Sequence, residues 1–193
     1  MASRTFEIGL SVKDIEKLKK QLIDYRDNEL PRKLEELCRR LSYKGVEIAK
    51  SNIVSMDAQF TGELLASIRS QYEGKIGDTV VFCIIADNEH AAFVEFGSGQ
   101  LGQEHPYPGK FPTDANWKYT DYNSGEHIQQ ATEDIYVSGY SEPYIQVGDY
   151  FWVYKDKEGK LRLSKGMPSR PFMYNTARDL YSIAIATAKE VFG

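Results

Sequence analysis

Val80-Val81-Phe82-Cys83-Ile84-Ile85 is apolar at every position, so both alternating faces of an extended chain would avoid water there. Such a run reads as a central strand, covered on each face. Residues 67–72 form a second strand candidate, and Glu73-Gly74-Lys75-Ile76-Gly77-Asp78 supplies a turn between it and residues 79–86. The hairpin needs a partner for its apolar surface, and the segments before it offer one.

Val12, Ile15, Leu18, Leu22 and Tyr25 recur at helical spacing, with Lys13, Glu16, Lys17 and Lys20 off that face. Ser11, three residues before Asp14, is placed to cap this helix. Asp27-Asn28-Glu29 interrupts it, and Pro31 suits the start of a second helix. Leu30, Leu34, Leu37, Cys38, Leu41, Ile48 and Ala49 form the second stripe, which runs to about Ile53. Gly45 marks a close approach or a bend. Upstream, Phe6, Ile8 and Leu10 alternate over residues 5–10, a short strand. Residues 56–61 read as a connector, and Gly62-Glu63-Leu64-Leu65 as a brief helical turn.

After the hairpin, residues 89–96 are helical until Gly97-Ser98-Gly99 stops them. Residues 98–167 differ in texture: they hold both tryptophans, Trp117 and Trp152, and many tyrosines, and about fifty of them show little periodicity. Tyr150-Phe151-Trp152-Val153-Tyr154 reads as a strand that turns at residues 155–159 and returns through Lys160-Leu161-Arg162-Leu163. A last helix follows Pro171, with Ala177, Leu180, Tyr181, Ala184, Ala188 and Val191 on one side. The expected fold is α+β: a small, mainly antiparallel sheet packed against long N-terminal helices and a C-terminal helix. Residues 1–193 are read as one domain, with residues 98–167 a loop and hairpin insertion within it.

Composition narrows the function. Hydrophobic residues make up 41% of the 193, which suits a globular chain, and no apolar run is long enough for a membrane span. The start lacks a secretory leader's apolar stretch, so the chain is expected to stay in the cytoplasm where it is made. Cys38 and Cys83 read as reduced thiols. With 24 Lys and Arg against 28 Asp and Glu the net charge is -4, no attraction for nucleic acid.

The search for chemistry is mostly negative. His90, His105 and His127 lack metal-ligand spacing, and Glu104-His105 and Glu126-His127 are adjacent pairs whose side chains diverge on an extended chain. Gly97-Ser98-Gly99 follows a helix instead of a strand, which suits neither a nucleophile elbow nor a phosphate loop. No catalytic, cofactor or metal residue emerges. Glu95 stands out, since it lies within Ala91-Ala92-Phe93-Val94-Glu95-Phe96 and a buried carboxylate needs a partner. Arg170, in Pro168-Ser169-Arg170-Pro171, offers a planar fork, and a Glu95–Arg170 clamp that docks the last helix is the resulting expectation. Two other readings remain open: a small hydrolase working through Glu95 and the histidines, and a nucleic-acid module using Lys155, Lys157, Lys160, Arg162 and Lys165.

Two blocks carry a resemblance. Phe93-Val94-Glu95-Phe96-Gly97-Ser98-Gly99, with Ala91 before it, resembles the glutamate–aromatic–glycine–threonine–glycine block of a family of bacteriophage neck proteins. Met167-Pro168-Ser169-Arg170-Pro171-Phe172-Met173 resembles that family's arginine–proline–phenylalanine block before its closing helix. The order of elements is similar over essentially the whole chain, while His90, Phe93, Ser98 and Ser169 depart from the usual residues. These are the tail-completion, or head–tail joining, proteins of long-tailed double-stranded DNA phages and prophages. The resemblance implies a non-enzymatic virion protein without cofactors, which forms a hexameric ring with copies of itself at the virion neck. It also implies head-completion or connector proteins and tail-tube or tail-terminator proteins as neighbours, and DNA passing through without sequence-specific binding. Glu95, Phe96, Gly97, Gly99, Arg170, Pro171, Phe172, Trp117 and Trp152 are then the structural or interface residues. Part of the aromatic loop would order only on contact with neighbouring subunits.

Overall fold

The computed structural model describes residues 9, 11–58, 62–77, 79–113, 115, 117–119, 128–138, 141–155 and 158–193. The strand expected at residues 5–10 lies outside them, Gly9 apart. In chain order the elements are α1 (Val12–Asp24), a π-helical turn (Tyr25–Glu29), α2 (Leu30–Ser55), α3 (Glu63–Ser67), β1 (Ile68–Ile76), β2 (Thr79–Ala86), α4 (Ala91–Phe96), α5 (Gly99–Glu104), β3 (Ile128–Gln130), β4 (Tyr150–Lys155), β5 (Leu161–Ser164), β6 (Gly166–Met167) and α6 (Phe172–Phe192). The class is α+β, with a small antiparallel sheet against long N-terminal and C-terminal helices. The chain divides into two compact units: Met1–Val54 with Leu65–Asp87 and Asn175–Gly193, and Ser55–Leu64 with Asn88–Tyr174.

The first unit is periodic. Ser11 caps α1 as its spacing predicts: its hydroxyl oxygen accepts the Asp14 N–H at 3.2 Å. The acidic interruption after Tyr25 does not break the helix. Leu30 N–H donates to the Tyr25 carbonyl, one residue further back than in an α-helix, so α1 runs on into α2 through a π turn. Asn28 donating to Asp24 at 2.8 Å and the Arg26–Asp27 pair at 2.6 Å occupy the polar side chains of this stretch. In α2, Ser42, Gly45, Ala49 and Ile53 are buried. Gly45 is the close approach: a Cβ there would enter the side chain of Ile84 on β2 and lie 2.9 Å from Leu180 on α6. Helix α6 thus seals the layer formed by α2 and the hairpin.

Strands β1 and β2 pair antiparallel, with a bulge between Tyr72 and Gly74. The described residues do not show the central, doubly covered β2 that the apolar run predicts. Its one strand neighbour among the described residues is β1, and none of its residues is fully buried. Part of its apolar surface, with Val80, Phe82 and Ile84, instead lines an open groove of about 320 Å³ alongside Cys38, Leu41 and Leu180. On α6 the expected stripe is also rotated. Tyr181 is 86% exposed, while Thr176 and Thr187 are buried. Helical hydroxyls can be buried because they find partners: Thr187 donates to the Ile183 carbonyl, Lys44 donates to Thr187, and Asn52 donates to Thr176. Cys38 and Cys83 are free and half-buried.

The second unit holds more regular structure than periodicity reveals. Strands β3, β4 and β5 form an antiparallel sheet in that order, and Ala131, Ile145 and Phe151 make its core with Ile135, Tyr144, Val153 and Leu163. Gly99 and Gly166, Ser98 and Met167 form isolated antiparallel bridges. No helix among the described residues is long and apolar enough to cross a membrane.

Candidate functional site

The site grows from the end of α4. Helix α4 lasts six residues because Gly97 ends it: the Gly97 N–H bonds the Phe93 carbonyl at 2.8 Å, and its φ of 78° is one that side-chain-bearing residues rarely adopt. A Cβ at Gly97 would also lie 2.7 Å from the Ser169 nitrogen, so the glycine is needed both for its angle and for its lack of bulk. The chain then forms α5, a helix that the glycine reading did not foresee.

Both blocks singled out in the sequence meet here. Arg170 N–H donates to the Val94 carbonyl at 2.8 Å, and the Ser169 hydroxyl donates to the Glu95 carbonyl at 2.7 Å. Glu95 is 6% exposed. Its carboxylate accepts the N–H of Met173 at 2.8 Å and that of Tyr174 at 2.9 Å, one on each oxygen. The expected Glu95–Arg170 ion pair is therefore absent. The carboxylate binds the first turn of α6, where N–H groups have no intrahelical acceptor and the helix dipole favours negative charge. Arg170 takes part through its backbone. Pro171 precedes the helix, and Phe172, completely buried, anchors its first residue.

Burial pushes the Glu95 carboxyl above its ordinary range, and the N–H groups of Met173, Tyr174 and Phe172 oppose that only in part. Around it lies an aromatic cluster. Phe96 meets Tyr107 edge-on with centroids 5.0 Å apart, and Phe111 at 5.5 Å. Trp117 packs 5.2 Å from both Phe93 and Phe96, and its indole N–H donates to the Gly97 carbonyl at 3.1 Å. Tyr119 holds the arrangement from both sides: its hydroxyl accepts the Tyr107 N–H and its carbonyl accepts the Gly99 N–H. Burial first, then the charge of Glu95, raises the Tyr107 phenol. Trp152, on β4, lies against Gly99, where an added Cβ would fall 2.7 Å from its ring.

A second polar cluster escaped the sequence reading. Asp149 accepts from the Gln100 amide, the Gln146 N–H and the Lys165 ammonium, all within 3.1 Å. Burial alone would raise this carboxyl, but those three donors outweigh it and hold it below the usual carboxylate range. Its members, Gln100, Gln146, Asp149 and Lys165, are too scattered along the chain for any local pattern to mark it. Lys165 is thereby withdrawn from the basic hairpin, and Lys157 lies outside the described residues.

Glu95 has both oxygens committed to backbone donors, an arrangement that holds a helix end and leaves no lone carboxylate facing a cleft. His90 is exposed beside Glu89 at 3.3 Å, His105 is exposed and lends its carbonyl to the Ser169 N–H, and His127 lies outside the described residues. Among the described residues no group of three or more His, Cys, Asp or Glu is arranged to hold a metal ion. Compared with models of known protein families, with curated proteins and with solved structures, the chain matches none.

Proposed function

We propose that this chain is a structural virion-assembly protein of a phage or prophage, a tail-completion or head–tail joining component that forms a ring at the neck. The observation that supports the reading is the union of the two blocks on which the resemblance rests. About seventy residues apart in sequence, they interlock through Val94, Glu95, Ser169, Arg170 and the first turn of α6. A buried carboxylate spent on a helix end, amid packed rings, serves shape rather than bond-making. In this reading the protein works by fitting against copies of itself and against connector and tail proteins, and DNA passes through the ring without being read. The net charge of -4 suits a lumen that does not grip phosphates.

The test is deletion of the gene in a lysogen that produces particles. Electron microscopy is expected to show separate heads and tails, rejoined when the wild-type gene is returned. Normally joined, infectious particles from the deletion strain, or enzyme-like turnover by the purified protein, would overturn the reading.

A further inference from the structure

Helix α1 is amphipathic, yet none of its residues is buried, and Val12 is 76% and Leu22 47% exposed. Ile15 and Ile23 are exposed as well, and Lys19 stands four residues from each, three from Leu22 and seven from Val12. At helical spacing those offsets put one ammonium in the middle of an uncovered apolar patch. Lys19 has no ion-pair partner among the described residues. Two of the three acids on α1 are already engaged, Asp14 by Ser11 and Asp24 by Asn28.

The second unit carries a surface of opposite character. Residues 119–154 contain no lysine or arginine. Within them Ile135 and Ile145 form an antiparallel bridge over the Ala131–Ile145–Phe151 core, and Asp134 accepts the Val147 N–H at 2.9 Å, which fixes a firm lobe. Its surface shows Tyr136, 63% exposed, and Val147, 64% exposed, together with the exposed carboxylates of Glu133 and Glu142. Exposed apolar side chains around a cation and a lobe exposing apolar side chains together with carboxylates that have no ion-pair partner among the described residues are complementary in both hydrophobicity and charge.

We propose that α1 of one copy docks on the lobe of residues 131–138 and 141–149 of a second copy, with Lys19 received by Glu133 and Glu142. The contact joins two different surfaces of one sequence, so it is heterologous: the copy that gives its helix keeps a free lobe, the copy that receives it keeps a free helix, and repetition closes a ring if the rotation permits. The inference deepens the ring-forming part of the proposed function and rests on it.

The experiment measures oligomeric state by analytical ultracentrifugation of the full chain, with circular dichroism to establish that each variant is folded. The wild type is expected to self-associate, more weakly as salt rises. Lys19→Glu weakens association about tenfold or more, and Glu133→Lys with Glu142→Lys in the same chain restores it. A helix-defective chain (Ile15→Asp, Lys19→Glu) and a lobe-defective chain (Tyr136→Asp, Val147→Asp) are each monomeric. Mixed, they retain one good contact and form a 1:1 dimer. Zero-length cross-links between Lys19 and Glu133 or Glu142 in a mixture of light and heavy-isotope chains join light to heavy.

A monomeric wild type, association indifferent to both sets of changes, no rescue by the charge exchange, or cross-links confined within single chains would each overturn the contact. So would binding of a monomeric wild type to anionic phosphatidylserine vesicles. Failure here leaves the neck reading to the particle assay. Failure of the particle assay with a clean 1:1 dimer would separate self-assembly from the neck.

Discussion

The two units of this protein specify their structure by different means. In the first, long helices and a hairpin meet through small residues, with Gly45 seated against Ile84 and Leu180. In the second, short elements are fixed by a buried carboxylate, positive-φ glycines and aromatic rings. The first tolerates changes that keep volume and period. The second depends on individual atoms, so its failures should be sharper and more local.

The largest expected effect falls on the second unit. Phe172→Ala empties a completely buried site at the start of α6 and should cost about 3–5 kcal/mol in denaturant unfolding. A loss below about 1 kcal/mol would mean that the ring is not the anchor of that helix. Next comes Glu95→Ala, which leaves the Met173 and Tyr174 N–H groups without their acceptor and should cost about 2–4 kcal/mol. Arg170→Ala should cost clearly less, since the guanidinium is not what the carboxylate binds. Equal losses from the two would restore the ion-pair picture.

In the first unit, Gly45→Ala tests packing against propensity. Alanine is the better helix former by roughly 1 kcal/mol, yet the added methyl meets Ile84 and Leu180, and a net destabilisation of about 1–3 kcal/mol is expected. A stabilised variant would show that α2, β2 and α6 give way easily, which would blunt the contrast between the units.

Buried Glu95 and half-buried Asp149 sharpen the comparison through pH. Asp149 is held low, so its contribution is present above its unfolded value and is lost as pH falls through the folded one. Glu95 is pushed up, so its contribution is complete below the ordinary glutamate range and is lost as pH rises through the folded value. Melting temperature measured across the carboxylate range should therefore fall less steeply on the acid side in Asp149→Asn. The opposing fall on the rising-pH side should vanish in Glu95→Gln. The smallest effect is dynamic. Amide hydrogens of α1 should exchange faster than those of α2 around Ala49 and Ile53, because α1 buries no residue.

What could be read from the sequence follows the same division. The stripe of α2, the Ser11 cap, the hairpin and the pair β4–β5 announce themselves because period and turn chemistry are local. Solvent cover is not local: the apolar run of β2 reads as central, yet among the described residues it has one strand neighbour and borders an open groove. The face of α6 is hard to read because threonine looks polar in sequence, while Thr176 and Thr187 satisfy their hydroxyls inside the fold. Glu95 reads from charge as a partner for Arg170, while its carboxylate meets the unbonded N–H groups of a helix start, which composition does not display. Pro171 immediately before α6 was the available hint. The core of Ala131, Ile145 and Phe151 was hidden by its wide spacing along an aperiodic stretch.

The π turn at Tyr25–Glu29 has one more consequence. Each turn of that kind spends an extra residue, which rotates everything on its far side by about 100° about the helix axis. Removing a single codon there would leave the body of the protein untouched and swing the Lys19 side of the rod through more than a quarter-circle. One deletion is thus enough to turn the exposed apolar side of α1 to a new direction relative to α2.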